Sequence, residues 1–231
     1  MKKVLINYAD KFYYNAQKNN SRTGRVFGFD EVIEYNFSVL DNSFKEKNKS
    51  ILEYSRGAGL WIWKPYIILK TLRELNEGDL VFYADSGSYF IDHISKLLYL
   101  FEKEEIIIFG SPYKNKQFTK MDAFYFSQIH AYESQHAAAS FIFVKKSTST
   151  ISFFEEYLKL CEDIRIVSDL PNECGLSNFP EFIEHRHDQS VLSLLCHKYQ
   201  ISMHRDLSQW GNTFPRENDN YPQIINHNRD R

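Results

Sequence analysis

Arg56-Gly57-Ala58-Gly59-Leu60-Trp61-Ile62-Trp63-Lys64-Pro65-Tyr66 is followed, after a helical stretch, by Gly78-Asp79-Leu80-Val81-Phe82-Tyr83-Ala84-Asp85-Ser86-Gly87-Ser88. The first segment sets glycines and Arg56 ahead of a helix over 64–75, with Pro65 in its first turn, where a missing amide is tolerated. Glycines there let the backbone approach a ligand closely, and a helix N-terminus favours negative charge. Arg56 and Lys64 add charge suited to a diphosphate. The second segment is an apolar strand over 80–84 that ends in Asp85 and then Ser86-Gly87. A carboxylate at the C-terminal end of a parallel strand is where α/β sheets bind ligands and metals. Its hard oxygen suits Mg²⁺ or Mn²⁺ bridging phosphates. The alternative for Asp85 is a turn or helix cap.

Outward from this core, apolar runs predict strands over 3–7, 106–110, 140–145 and 201–204. Helical periodicity predicts helices over 42–54, 93–103, 120–129, 147–161 and 188–199. Strands alternating with helices argue for a layered α/β domain. No internal repeat, low-complexity stretch or flexible linker divides the chain, so residues 1–231 read as one domain. Two long irregular segments remain. One spans 166–185 and holds Pro171, Gly175 and Pro180; the other is the tail from Trp210 to Arg231. Long loops in compact domains are usually functional or disordered.

The chain has 231 residues, enough for a full core without disulfides or metal. Its formal net charge of -2 argues against bulk electrostatic binding of nucleic acid. Phe, Tyr and Trp make up 16% of the residues, which excludes disorder and suits stacking on flat or ring-shaped ligands. Most of these rings are nevertheless expected in the core. Cys161, Cys174 and Cys196 fit no zinc pattern and read as reduced thiols of a cytoplasmic protein. The first residues read as a strand and not a signal peptide. No run approaches the ~18 apolar residues of a membrane span, so any work at a membrane would be done from its surface.

Taken together, Arg56–Leu69, Gly78–Ser88, His187–Leu195 and the closing His227-Asn228-Arg229 resemble the small bacterial and viral glycosyltransferases of the GT-A fold. The resemblance implies a single-domain mixed sheet flanked by helices, a nucleotide-sugar donor, UDP-linked, and a glycan acceptor. It implies Mn²⁺ or Mg²⁺ at the leaving diphosphate, with Asp85 at the second acidic position of the family's Asp-x-Asp metal motif. Tyr83 stands at the first position, a departure that opens the question of weak or absent metal dependence. His227 resembles the C-terminal histidine that closes over the diphosphate, a role its neutral imidazole suits. Arg229 would pair with a phosphate, and 205–231 would be a tail closing over the donor site. Tyr8 and Asp10, after the first strand, would meet the base and ribose. Trp63 is divided between core and ligand stacking, and Ser86 belongs with Asp85 on the donor side.

His185-Arg186-His187-Asp188-Gln189-Ser190 opens an apolar helix. Asp188 is either its N-terminal cap or the residue that faces the reacting sugar carbon and takes the acceptor's proton as general base. Asp122 and Gln135-His136 would lie near the donor sugar or acceptor, with cap and turn as their plainer readings. The rival function is a catalytically silent nucleotide- or glycan-binding module. A methyltransferase would need a glycine-rich turn after the first strand, and Asn7-Tyr8-Ala9-Asp10 has none. Without a Gly-x-Ser-x-Gly elbow, acyl-transfer hydrolysis has no support.

Overall fold

The structure, a computed structural model, describes residues 1–213 and 219–227. Among the described residues eight strands are formed: β1 Lys3–Tyr8, β2 Glu31–Tyr35, β3 Leu80–Ala84, β4 Ser88–Phe90, β5 Ile106–Lys114, β6 Gln135–Lys145, β7 Met203–His204 and β8 Ile225–His227. Six make a mixed sheet in the order β2-β1-β3-β6-β5-β7, while β4 and β8 pair separately. β1 runs parallel to β2 and β3, β6 is antiparallel to β3 and β5, and β7 runs parallel to β5. The fold is thus a single-domain mixed α/β sheet flanked by helices.

The central strands are apolar on both faces because both are covered. Val4, Ile6, Val81, Tyr83, Ile142 and Val144 face one core, against the helices Trp63–Glu74, Thr148–Cys161 and His187–Lys198. Leu5, Phe82, Ala84, Phe109, Phe141 and Phe143 face a second core, completed by the 3₁₀ helix Ile94–Glu102 and by Leu207, Tyr221, Ile224 and Ile225 from the end of the chain. The described part of the tail is therefore packed structure. β8 lies antiparallel to β4, with His227 opposite Ser88.

The helix Tyr14–Val26 and the edge strand β2 were not expected. The helix hides from hydrophobic periodicity because its buried face is polar. Gln17 donates to the Asn7 side chain at 3.0 Å and to the Tyr35 carbonyl at 2.8 Å. Asn7 in turn donates to Asn20 at 2.8 Å and Ser21 at 3.0 Å, and Asn20 donates to the Ser88 carbonyl at 2.9 Å. This buried amide network is satisfied by its own members, as buried polar groups require. It ties the first helix to β1 and to the turn after β3, where the candidate site lies.

Candidate active site

The glycine-rich segment differs from a simple helix start. Gly57, Ala58, Gly59, Leu60 and Trp61 all have positive φ, from 49° to 96°, so the chain makes a left-handed turn before the helix Trp63–Glu74. Three of these residues carry side chains, and left-handed backbone costs such residues about 1–2 kcal/mol each. The turn is held by Trp63, whose indole donates to the Gly57 carbonyl at 2.9 Å, and by the Gly59 amide on the Tyr54 carbonyl at 2.8 Å. Gly57 is required here: a Cβ would enter the Trp61 ring. Strain of this kind persists where surrounding structure enforces it and concentrates at functional sites.

The turn delivers Lys64 into the interior. Its ammonium, 4% exposed, lies 2.9 Å from Asp188 Oδ2 and 3.9 Å from Asp85 Oδ1. It also donates to the Ala139 carbonyl at 3.1 Å and sits over the Tyr83 ring, 5.2 Å from the centroid. Burial opposes the Lys64 charge, but Asp188 and Asp85 outweigh it and raise its pKa above the ordinary value. Lys64 was expected to add charge suited to a diphosphate; in the structure its ammonium is paired with the two carboxylates.

Asp188 lies in the first turn of His187–Lys198 and is buried. Its Oδ2 accepts from Lys64 and from the Tyr157 hydroxyl at 3.2 Å. Burial pushes the Asp188 carboxyl up, against the pull of Lys64. Asp188 does not act as the N-cap: that position is Arg186, whose own side chain makes no capping bond. Preceding it, His187 has a φ of 49° and stacks on Trp61 with ring centroids 5.6 Å apart. Two left-handed residues thus meet beside the carboxylate.

Asp85, at the end of β3, is 36% exposed and accepts from the Tyr83 hydroxyl at 2.5 Å. Burial raises the Tyr83 pKa well above its usual value, with Asp85 adding to the effect. Tyr83, two residues before Asp85, therefore serves as a hydrogen-bond donor to its carboxylate. One ammonium between two carboxylates leaves the cluster with one uncompensated negative charge when all three are ionised.

The other expected donor residues separate into groups. Tyr8 and Trp63 stack on each other, centroids 3.9 Å apart and planes 13° apart, and both are buried, so these rings belong to the core. Ser86 is also buried and donates to the Tyr8 carbonyl at 2.6 Å, tying the ends of β1 and β3 together. Asp10 sits in the following turn and accepts from the Phe12 amide at 2.9 Å. Phe12 and Tyr14 beside it are exposed rings that sequence reasoning passed over. Arg56 lies apart from Lys64, pairing with Asp169 at 4.0 Å and Glu184 at 3.5 Å. Arg229 lies outside the described residues. Tyr157 was also missed; it sits among apolar residues of its own helix, and nothing in the chain links it to Asp188, 31 positions away.

Among the described residues, no group of three or more His, Cys, Asp or Glu side chains is placed to hold a metal. Asp85 and His227 supply a carboxylate and an imidazole on adjoining segments. His227 pairs with Ser88, whose amide donates to the Asp85 carbonyl at 3.0 Å. Its ring lies 5.1 Å from that of Phe141, the partner in register of Ala84. The chemistry of these two groups, with the cluster's residual negative charge, would suit Mg²⁺ or Mn²⁺ shared with phosphate oxygens and water, since such ions usually keep only one or two carboxylates.

No protein-family model and no curated protein matches the sequence. The fold does match solved structures. Mouse xyloside xylosyltransferase 1 in its apo form aligns with a TM-score of 0.53 at 10% identity, covering 98% of this chain and 96% of that one. A glycosyltransferase involved in glycosylating the major capsid of PBCV-1 aligns at 0.51 and 10% identity, covering 98% and 93%. The apo glycosyltransferase GlyE of Streptococcus pneumoniae TIGR4 aligns at 0.50 and 14% identity, where this chain spans 54% of the GlyE chain. At these identities the likeness is one of fold: the chain has the architecture of these glycosyltransferases, in agreement with the GT-A-like sheet read from its motifs.

Proposed function

We propose that the protein is a glycosyltransferase that moves a sugar from a nucleoside-diphosphate sugar, UDP-linked, to a hydroxyl of a glycan. The observation that carries this reading is the convergence of Asp85, Lys64 and Asp188 at the strand ends of a fold shared with glycosyltransferases. Asp10 offers an acceptor to the base or ribose, and Phe12 and Tyr14 offer exposed stacking faces. Ser86 and the Tyr8–Trp63 stack set the wall of this edge. Arg56 is committed to Asp169 and Glu184, so the phosphate partner in this reading is Arg229, with the last residues of the chain closing over the donor.

Asp85 and His227 would hold Mn²⁺ or Mg²⁺, which when bound would neutralise the leaving diphosphate. Lys64 supports the charge of Asp85 and holds Asp188. Asp188 faces the reacting carbon, where it accepts the acceptor hydroxyl's proton or supports positive charge developing on the sugar ring. A carboxyl raised by burial is better matched to general-base work than an ordinary one. Among the described residues no helix is long and apolar enough to cross a membrane. The three cysteines are unpaired, which supports a reducing, cytoplasmic setting.

The bond from Tyr83 to Asp85 favours a second reading, a silent nucleotide- or glycan-binding module. A thermal-shift and calorimetric screen of UDP-, GDP- and TDP-sugars with and without Mn²⁺ tests donor recognition. A UDP-sugar should raise the melting temperature, more so with Mn²⁺. Asp85→Asn should remove on the order of 2–4 kcal/mol of the metal-linked part. Absence of any nucleotide effect would refute the donor assignment.

A further inference from the structure

A cavity of about 290 Å³ lies outside the carboxylate cluster, between Lys120, at the start of the helix Met121–Ser127, and the irregular segment 169–185, with Arg56 across from them. The segment is a built wall. Asp122, fully buried, accepts the Glu173 amide at 2.9 Å and the Cys174 amide at 2.9 Å, and so pins a distant loop instead of capping its own helix. The buried Lys120 ammonium donates to the Leu170 carbonyl at 2.8 Å and lies 3.2 Å from Asp122. Asn178 accepts from the Met121 amide at 2.7 Å and from the Asn172 amide group at 2.9 Å. A loop held at this many points has little ordering entropy left to lose on binding.

The lining selects among ligand classes. The Arg56 guanidinium is shared between Asp169 and Glu184, and Lys120 is spent on Asp122, so neither cation is left unpaired for an anion. A phosphate would meet the two half-exposed carboxylates as like charges. Hydroxyls, by contrast, donate to carboxylates and accept from a guanidinium or an amide. Phe182 and Pro171 add apolar surface for the C–H faces of a ring. The volume of about 290 Å³ lies just under the roughly 300–1,000 Å³ usual for ligand sites, which suits a sugar ring better than an extended chain. The cavity also shares its two chain segments with the carboxylate cluster. Glu184 and His185 lead into His187-Asp188, with the two histidine rings 5.5 Å apart, and Arg56 leads into the left-handed turn whose Trp61 stacks on His187.

We propose that this cavity binds the terminal sugar of a neutral glycan acceptor, an inference that rests on the glycosyltransferase reading. The test is saturation-transfer difference NMR on the full chain with methyl glycosides of glucose, galactose, mannose and xylose, and with inorganic phosphate as a competitor. At least one glycoside should receive saturation, and Phe182→Ala and Asp169→Ala should each weaken its binding by about tenfold. In transfer assays the same variants should raise the KM for acceptor by a similar factor and leave the KM for donor within about twofold. Binding that survives both substitutions, displacement by phosphate, or no saturation of any glycoside overturns the proposal. Sugar-nucleotide turnover without glycoside contact sinks the cavity and leaves the transferase standing. Glycoside contact that is lost in both variants, with no sugar nucleotide turned over, sinks the transferase and with it the acceptor role, leaving a plain glycan site.

Discussion

Lys64 and Asp188 bind structure and chemistry into one buried pair, and substitutions can pull the two apart. Lys64→Met leaves the Asp188 carboxylate buried without its cation, a loss that typically costs about 3–5 kcal/mol. Replacing both, as Lys64→Met with Asp188→Leu, removes both desolvated charges and should recover most of that stability. Urea unfolding of the single and double variants checks this, and an unchanged midpoint in Lys64→Met would contradict it. The double variant should still lack turnover, because the proposed general base is gone. Asp85 and Asp188 were legible as candidates because each stands at the junction of an apolar element and a turn. The commitment of Lys64 was not, because a lysine after a glycine turn reads the same whether it faces solvent or folds inward. Burial decides between those readings, and burial depends on elements from three distant parts of the chain.

Strands over 80–84 and around 106–110 and 140–145 were plain from their apolar runs, as were the helices that cover them. The helix Tyr14–Val26 was not, because it buries Gln17, Asn20, Ser21 and Thr23 in place of aliphatic residues. The left-handed turn at 57–61 was half legible: its glycines announced an unusual backbone, but positive φ at Leu60 and Trp61 depends on tertiary contacts such as the Trp61 ring on His187 and the Trp63 indole on the Gly57 carbonyl. Gly57→Ala should therefore destabilise by about 1–3 kcal/mol, since the new Cβ meets the Trp61 ring. Ala58→Gly should change stability by less than about 1 kcal/mol, because strain relief offsets the greater entropy of the unfolded chain. Equal urea midpoints for the two variants would argue against a strained turn. At the other end of the chain, deleting 226–231 should weaken UDP binding more than it lowers the melting temperature. The core residue Ile225 is retained in that truncation, and unchanged UDP affinity would remove the lid assignment.

For the whole molecule, buried histidines set the acid limit of stability. Burial, with a smaller contribution from Arg186, pushes His136 from 6.5 down to about 3. Burial likewise lowers His185 and His187. The unfolded chain takes these protons near the ordinary histidine value and the folded chain only at lower pH. Their contribution is thus complete above about pH 6.5 and is lost as pH falls toward the folded values, for His136 by about 1.4 kcal/mol per pH unit. Urea midpoints measured from about pH 8 to about pH 5 should fall on the acid side; a flat profile would contradict neutral burial. The central claim, that this fold transfers sugar, is tested most directly by UDP release. With Mn²⁺ and the right UDP-sugar, the protein should release UDP slowly without acceptor and faster with one, since water can reach the sugar carbon when no acceptor fills the site. Asp188→Asn should cut the acceptor-dependent rate by about 10²–10⁴-fold with donor affinity nearly kept. Tight binding of a sugar nucleotide with no UDP released by the wild type would contradict the account and leave a binding module.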